Sequence, residues 1–187
     1  MDKNSLREQA LLHRDRILPD PADAESAAEL FRAHVPVREG QIVSAYWPLG
    51  KEFDVRFIID DLIRSGIKVA LPISGRESRV MEFALWDGAS DLVKGEFGIY
   101  VPKDKVLVEP DILIIPFLAF DRKGHRLGRG AGHYDNTLAA LRAKKNVLAV
   151  GIGYAEQAVL FNLPAEEHDQ PLDIIITPKG VHDFRGI

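Results

Sequence analysis

One connection constrains this chain more than any other. It reads Phe120-Asp121-Arg122-Lys123-Gly124-His125-Arg126-Leu127-Gly128-Arg129-Gly130-Ala131-Gly132-His133-Tyr134-Asp135 and holds four glycines, three arginines, a lysine and two aspartates. The apolar run Ile112-Leu113-Ile114-Ile115-Pro116 precedes it, and a helix-like segment from Tyr134 to Lys145 follows. Strand, glycine- and arginine-rich turn, then helix is the layout of a phosphate cradle. Glycines let backbone N–H groups converge on one point, and a helix start adds partial positive charge. Arg126 and Arg129 carry the planar fork that pairs with phosphate or carboxylate oxygens. Asp135 is placed to hold a hard metal ion against the same oxygens. The spacing is neither a dinucleotide fingerprint nor a Walker A loop, which ends in Gly-Lys-Ser/Thr.

The remainder of the chain alternates strands and helices. Residues 4–18 predict an amphipathic helix capped by Asp2 or Asn4, with Leu6, Ala10, His13 and Ile17 on one stripe. Lys3, Arg7 and Arg14 share a different face. Pro19-Asp20-Pro21 breaks that helix, and a second fills 22–34. Ile42 to Trp47 is a buried strand that runs into the loop Pro48-Leu49-Gly50-Lys51-Glu52. Asp54 caps a helix from Val55 to Arg64, Gly66 closes it, and Lys68 to Pro72 is the next strand. A strand–helix–strand unit of this kind makes a parallel pair. Met81 to Trp86 alternates weakly, as an edge strand does. Residues 87–105, with Gly88, Gly95, Gly98 and Pro102, read as loop. Strands follow at Asp111 to Pro116, at Val147 to Ile152 and, last, at Asp173 to Thr177. The expectation is an α/β fold: a single three-layer α/β/α domain over residues 1–187 with a mostly parallel sheet. Ligands in such sheets sit beyond the carboxyl ends of the strands. The loops Trp47–Glu52, Pro72–Arg79 and Pro116–Asp135 all follow such ends.

Charge narrows the ligand. The chain carries a formal −4, yet residues 120–133 set Arg122, Lys123, Arg126 and Arg129 against Asp121, a local +3. A basic island on an acidic chain suits a discrete anion rather than a nucleic acid. With no cysteine, disulfides and thiolate chemistry are excluded. Residues 1–7 lack the apolar core of a signal peptide, and no apolar run approaches the roughly 20 residues of a membrane span. A cytoplasmic location without membrane association is therefore expected.

Each candidate has a plainer reading. Asp135 at a helix start serves as a cap as readily as a metal ligand, and Asp173 before an apolar strand reads alone as a solvated edge residue. Glu52 in a loop is ordinarily solvated, and Trp47 at a strand end is ordinarily core. Lys3 and Arg7 on one helical face are ordinarily a solvated surface. None of the six histidines has metal-ligand spacing, and His133 stands out only for lying in the glycine loop. No Ser–His–Asp order or nucleophile elbow is present, so any chemistry rests on positioning and electrostatics. The loop alone leaves open a sugar-phosphate isomerase or transferase, or a non-catalytic nucleotide- or folate-binding protein.

Leu127-Gly128-Arg129-Gly130-Ala131-Gly132-His133-Tyr134-Asp135, preceded by Phe120-Asp121 and Gly124, resembles the F-D-x-x-G-x-R-L-G-x-G-x-G-Y-Y-D-R block of the 5-formyltetrahydrofolate cyclo-ligase family. Supporting pieces occur in the family's order: Lys3-x-x-Leu6-Arg7, Tyr46 through Glu52, Val69-Ala70-Leu71-Pro72, Glu109-Pro110-Asp111 and Asp173. Two positions depart: His133 replaces the first tyrosine and Asn136 replaces the arginine.

The resemblance implies an ATP- and Mg²⁺-dependent closure of 5-formyltetrahydrofolate to 5,10-methenyltetrahydrofolate by a monomer acting on small molecules. It implies that Lys3 and Arg7 touch ATP phosphates from the first helix. Arg126, Leu127, Gly128, Arg129, Gly130, Ala131, Gly132, His133 and Tyr134 wrap the triphosphate. Residues Arg129, Gly130, Ala131, Gly132 and His133 also reach the formyl end of the folate. Arg129 is the expected catalytic residue, stabilising the transferring phosphoryl group. Trp47 and Glu52 would receive the pterin, and Asp135 and Asp173 would hold Mg²⁺.

Overall fold

The structure, a computed structural model, describes residues 1–186. Two helices open the chain, α1 (Lys3–Asp15) and α2 (Asp23–His34). Strand β1 (Ile42–Ser44), helix α3 (Arg56–Arg64) and strand β2 (Lys68–Ile73) follow. Next come β3 (Glu82–Trp86), β4 (Leu92–Lys94), β5 (Tyr100–Pro102), β6 (Leu107–Val108) and β7 (Ile112–Ile115). The glycine-rich connection contains β8 (Ala119–Phe120) and β9 (Arg126–Leu127), and α4 (His133–Arg142) emerges from it. Strands β10 (Leu148–Ile152), β11 (Ile174–Thr177) and β12 (Gly180–Asp183) complete the chain.

Eight strands form the main sheet in the order β12-β11-β10-β7-β1-β2-β3-β6. The five from β2 to β11 are mutually parallel, and β3, β6 and β12 pair antiparallel at the two ends. Period-two alternation divides the core. Ile112, Ile114, Val150, Ile152, Ile174 and Ile176 pack with Ala27, Phe31, Ile58 and Leu62 of α2 and α3. Leu113, Ile115, Ala149 and Ile175 pack on the opposite face with Leu138 and Leu141 of α4. Three layers result, as the alternation of elements predicts. Asp2 caps α1 by accepting from the N–H groups of Asn4 and Ser5. Helix α1 joins through Leu6 and Ala10, which meet Ala119, Leu127 and Leu163.

Three expectations need correction. Residues 87–105 are not loop throughout: β4 and β5 form a hairpin across a 3₁₀ turn at Glu96–Gly98. Strand β3 lies inside the sheet, paired on both sides, because β6 supplies the edge. Asp173 to Thr177 is not the last strand, since β12 folds back on β11.

Strand order locates the site. From β1 the chain moves outward to β2, then returns to place β7 on the other side of β1. This reversal is a topological switch point, where diverging connections open a crevice at the carboxyl ends of the strands. The loops leaving β1 and β7 contain Trp47–Glu52 and the glycine-rich connection.

Candidate functional site

A cavity of about 530 Å³ occupies that crevice. It is lined by every residue from Arg126 to Asn136, by Lys3, Arg7 and Arg14 of α1, and by Tyr46, Trp47, Leu49 and Glu52 after β1. The volume suits a small-molecule ligand.

The glycine loop owes its shape to backbone that only glycine adopts readily. Gly130 has φ +104° and Gly132 φ +74°. A Cβ on Gly130 would lie 3.1 Å from Cζ of Arg7, so the loop also needs glycine to accept the α1 arginine. Gly132 is the N-cap of α4 and offers no side chain to its first N–H groups. Asn136, one of the two departures from the family block, donates from Nδ2 to the Gly132 carbonyl and so braces the loop.

The cations around the loop have different commitments. Arg7 donates from Nε to the Gly128 carbonyl at 3.2 Å and from Nη1 to Asn4. Arg126 is nearly buried, donating to the Gln170 carbonyl at 2.8 Å and to Oδ1 of Asp135 at 3.0 Å. Lys3 donates to Glu166 at 3.0 Å and Asp169 at 2.8 Å. Burial works against its charge, but these two carboxylates raise its pKa. Arg129 is 58% exposed and lies 3.5 Å from Glu52, linking the loop to the segment after β1. Burial pushes the Glu52 carboxyl up, partly offset by the charges of Arg129 and Arg14.

Aromatic groups form part of the rest of the lining. Trp47 meets Trp86 edge-on at 5.5 Å, and Arg56 lies over its ring. Tyr46 donates to the Phe53 carbonyl at 2.8 Å. Phe97, at the tip of the β4–β5 hairpin, meets His133 edge-to-face at 5.5 Å. Its φ of +56° is left-handed, an uncommon conformation for a bulky residue. Sequence reasoning missed Phe97 because a glycine- and proline-punctuated stretch hides a hairpin. It also missed Met81 as a lining residue, whereas Arg79 lies in the Pro72–Arg79 loop expected to face the site.

The structure does not bring Asp173 to the cavity. The carboxylate accepts from the Ala149 N–H at 2.7 Å and from Arg142 at 3.1 Å, which ties β11 to β10 and α4. It sits before the amino end of β11, and a parallel sheet presents its ligand crevice at the other end. Asp173 is therefore corrected from a candidate metal ligand to a structural group. Asp135 does line the cavity. Its two hydrogen bonds, from Arg126 and the Gln170 N–H, both fall on Oδ1, and Oδ2 accepts none among the described residues. One free carboxylate oxygen beside a glycine- and arginine-rich loop fits Mg²⁺, which commonly keeps waters and phosphate oxygens as its other ligands.

Fold and site together define an α/β protein whose glycine- and arginine-rich loop opens into a cavity at the switch point of the sheet. Residues 1–178 match the 5-formyltetrahydrofolate cyclo-ligase family. The chain is 35% identical over 187 residues to the 5-formyltetrahydrofolate cyclo-ligase of Mycolicibacterium smegmatis, covering 95% of this chain and 94% of that protein. It is 34% identical over 167 residues to the Escherichia coli protein of the same name, covering 86% and 90%. The solution structure of Aquifex aeolicus 5,10-methenyltetrahydrofolate synthetase superposes with a TM-score of 0.81 at 26% identity, over 99% of this chain and 94% of that one. The chain belongs to the 5-formyltetrahydrofolate cyclo-ligase family.

Proposed function

We propose that the protein closes 5-formyltetrahydrofolate to 5,10-methenyltetrahydrofolate at the expense of ATP, releasing ADP and phosphate. The observation that carries this reading is the convergence of the glycine loop and the segment after β1 on one cavity. Arg7, Arg126 and Arg129 line it with the glycine loop, and Trp47 and Glu52 line the same space from the β1 segment.

The chemistry needs an activated leaving group, because the formyl oxygen of an N-formyl group leaves poorly. The formyl oxygen attacks the γ-phosphorus of ATP, the bond to the bridging oxygen breaks, and ADP departs. N10 then attacks the formyl carbon and gives up its proton to solvent. The C–O bond breaks, inorganic phosphate leaves, and the amidinium of the methenyl ring remains.

Residues of this chain serve those steps by position and charge. Lys3, Arg7, Arg126 and the backbone from Leu127 to Tyr134 receive the triphosphate. Lys3 exchanges its carboxylate partners for phosphate oxygens when nucleotide enters. Arg129, exposed and tied among the described residues only to Glu52 by a 3.5 Å contact, is free to swing onto the transferring phosphoryl group. Trp47 and His133 offer flat surfaces to the folate, and Glu52 accepts hydrogen bonds from its N–H groups. Asp135 would hold Mg²⁺ through Oδ2; the ion supplies charge neutralisation at the phosphates when bound. The reading includes a cytoplasmic monomer, and light scattering on the eluted protein checks the oligomeric state.

Near-ultraviolet absorbance during incubation with 5-formyltetrahydrofolate, ATP and Mg²⁺ tests the activity. The product is conjugated across N5 and N10 and the substrate is not. A rise that requires all three components is expected. A flat trace from folded protein overturns the reading.

A further inference from the structure

The face of α1 that carries Lys3 and Arg7 carries a third cation. Arg14 lies seven residues past Arg7, about 10 Å further along the helix axis, and lines the same cavity. The three cations are not equivalent. Lys3 has two carboxylates and Arg7 has a carbonyl and an amide, whereas Arg14 has almost nothing. Arg14 is 4% exposed, and its Nε–H is buried with no hydrogen-bond partner among the described residues. Its one ion contact among them is a 3.5 Å approach to Asp15, its own neighbour in the chain.

Burying even one donor of a charged guanidinium without an acceptor opposes folding. A chain that keeps such a group in a cavity wall has a partner for it that arrives from outside. The surroundings indicate which partner. Arg14 is close enough to Glu52 for its charge to favour the carboxylate, yet the two form no direct ion pair among the described residues. That wall of the cavity thus presents an acceptor, Glu52, near a donor fork, Arg14. An acceptor beside a donor matches an amide-type edge in which C=O and N–H are adjacent.

We infer that Arg14 is a substrate-binding residue that donates to a ring carbonyl oxygen of the bound folate, beside the N–H groups received by Glu52. This rests on the folate reading above. The row of cations on α1 then divides its work along the helix. Lys3 and Arg7 serve the phosphate end, and Arg14 serves the ring end about 16 Å from Lys3 along the axis.

Calorimetric binding of 5-formyltetrahydrofolate and of ATP, each measured on wild type, Arg14→Met and Arg14→Lys, tests the inference alongside thermal unfolding without ligand. Methionine keeps much of the stem and removes the unpaired charge. The ligand-free Met variant is expected to melt at or above the wild-type temperature, because among the described residues the Arg14 Nε–H has no acceptor and its one ion contact, to Asp15, is long. Its folate Kd should rise about tenfold or more, while its ATP Kd stays within about twofold. Lysine keeps the charge and loses the fork, so it should recover only part of the folate affinity. Unchanged folate affinity in both variants overturns the inference. So does a fall in melting temperature with equal weakening of both ligands, which marks a structural cation. Should the methionine variant not fold, the lysine variant decides by the same comparison of folate with ATP. Wild-type protein that binds no folate overturns the functional reading itself, and this inference with it.

Discussion

At the scale of single residues, Arg129 and Glu52 carry the sharpest expectations. Arg129→Ala should lower kcat by about 10² to 10⁴ while stability shifts by no more than about 0.5 kcal/mol, since the side chain is largely exposed. Steady-state kinetics beside a denaturant melt checks both, and wild-type turnover would remove the role given to the arginine. Glu52 adds a pH dependence. Burial raises its pKa above the ordinary 4.5, and only the ionised form accepts two N–H groups. The kcat/KM for folate should therefore fall as pH drops through that raised value, and Glu52→Gln should flatten this acid limb. The stability sign is the opposite. A carboxyl whose folded pKa is raised stabilises the fold below its unfolded value, and that contribution is lost as pH rises through the folded one. Ligand-free Glu52→Gln should consequently be as stable as wild type, or more so, at neutral pH. At this scale the sequence was partly legible. The glycine block identified Arg126, Arg129 and Asp135, but Asp173 and Arg14 were misjudged or passed over. Their partners, Arg142 for one and an empty cavity wall for the other, lie outside any local pattern.

At the scale of elements, the β8–β9 hairpin and α4 hold the loop from its two ends. Asp121 organises the hairpin. Its carboxylate accepts from the N–H groups of Lys123, His125 and Leu163 and from the His125 ring. Burial opposes ionisation of Asp121, yet these donors keep its pKa below the usual 3.8. Its stabilising contribution is present above that ordinary value and is lost as pH falls through the depressed one. Asp121→Asn turns one acceptor into a donor facing N–H groups and should cost about 1–3 kcal/mol, read by urea unfolding. Helix α4 anchors the other end through Leu138, which is fully buried. Leu138→Ala should cost about 2–5 kcal/mol. A loop shifted by the cavity would also show reduced ATP affinity, whereas unchanged binding would separate the core from the site. Long amphipathic and apolar segments were readable because burial imposes their period. The two short hairpins were not, since two- and three-residue strands carry no period to read.

At the scale of the whole molecule, the site is assembled from distant parts of the chain. Lys3 bonds Glu166 across 163 positions, and Arg7 bonds Gly128 across 121. A ligand that replaces such partners ties α1 to the glycine loop, so binding and global stability are linked. ATP at about 100 times its Kd should stabilise the native state by about 2.7 kcal/mol, and the shift should grow with concentration. Differential scanning calorimetry over a ligand series checks this, and a melting temperature independent of ATP would sink nucleotide binding. Among the described residues no helix is long and apolar enough to cross a membrane. The sequence by itself determined the alternation of strands and helices, the three layers and the place of the glycine- and arginine-rich loop. Each of these follows from hydrophobic period, glycine conformational freedom and charge within a short window. Only the tertiary structure decided the strand order, the switch point between β1 and β7, and the pairing of Asp173 with Arg142. It alone placed Arg14 beside the cavity with its Nε–H unpartnered among the described residues. Those depend on which surfaces meet once the layers close, and no local window contains both sides of such a contact.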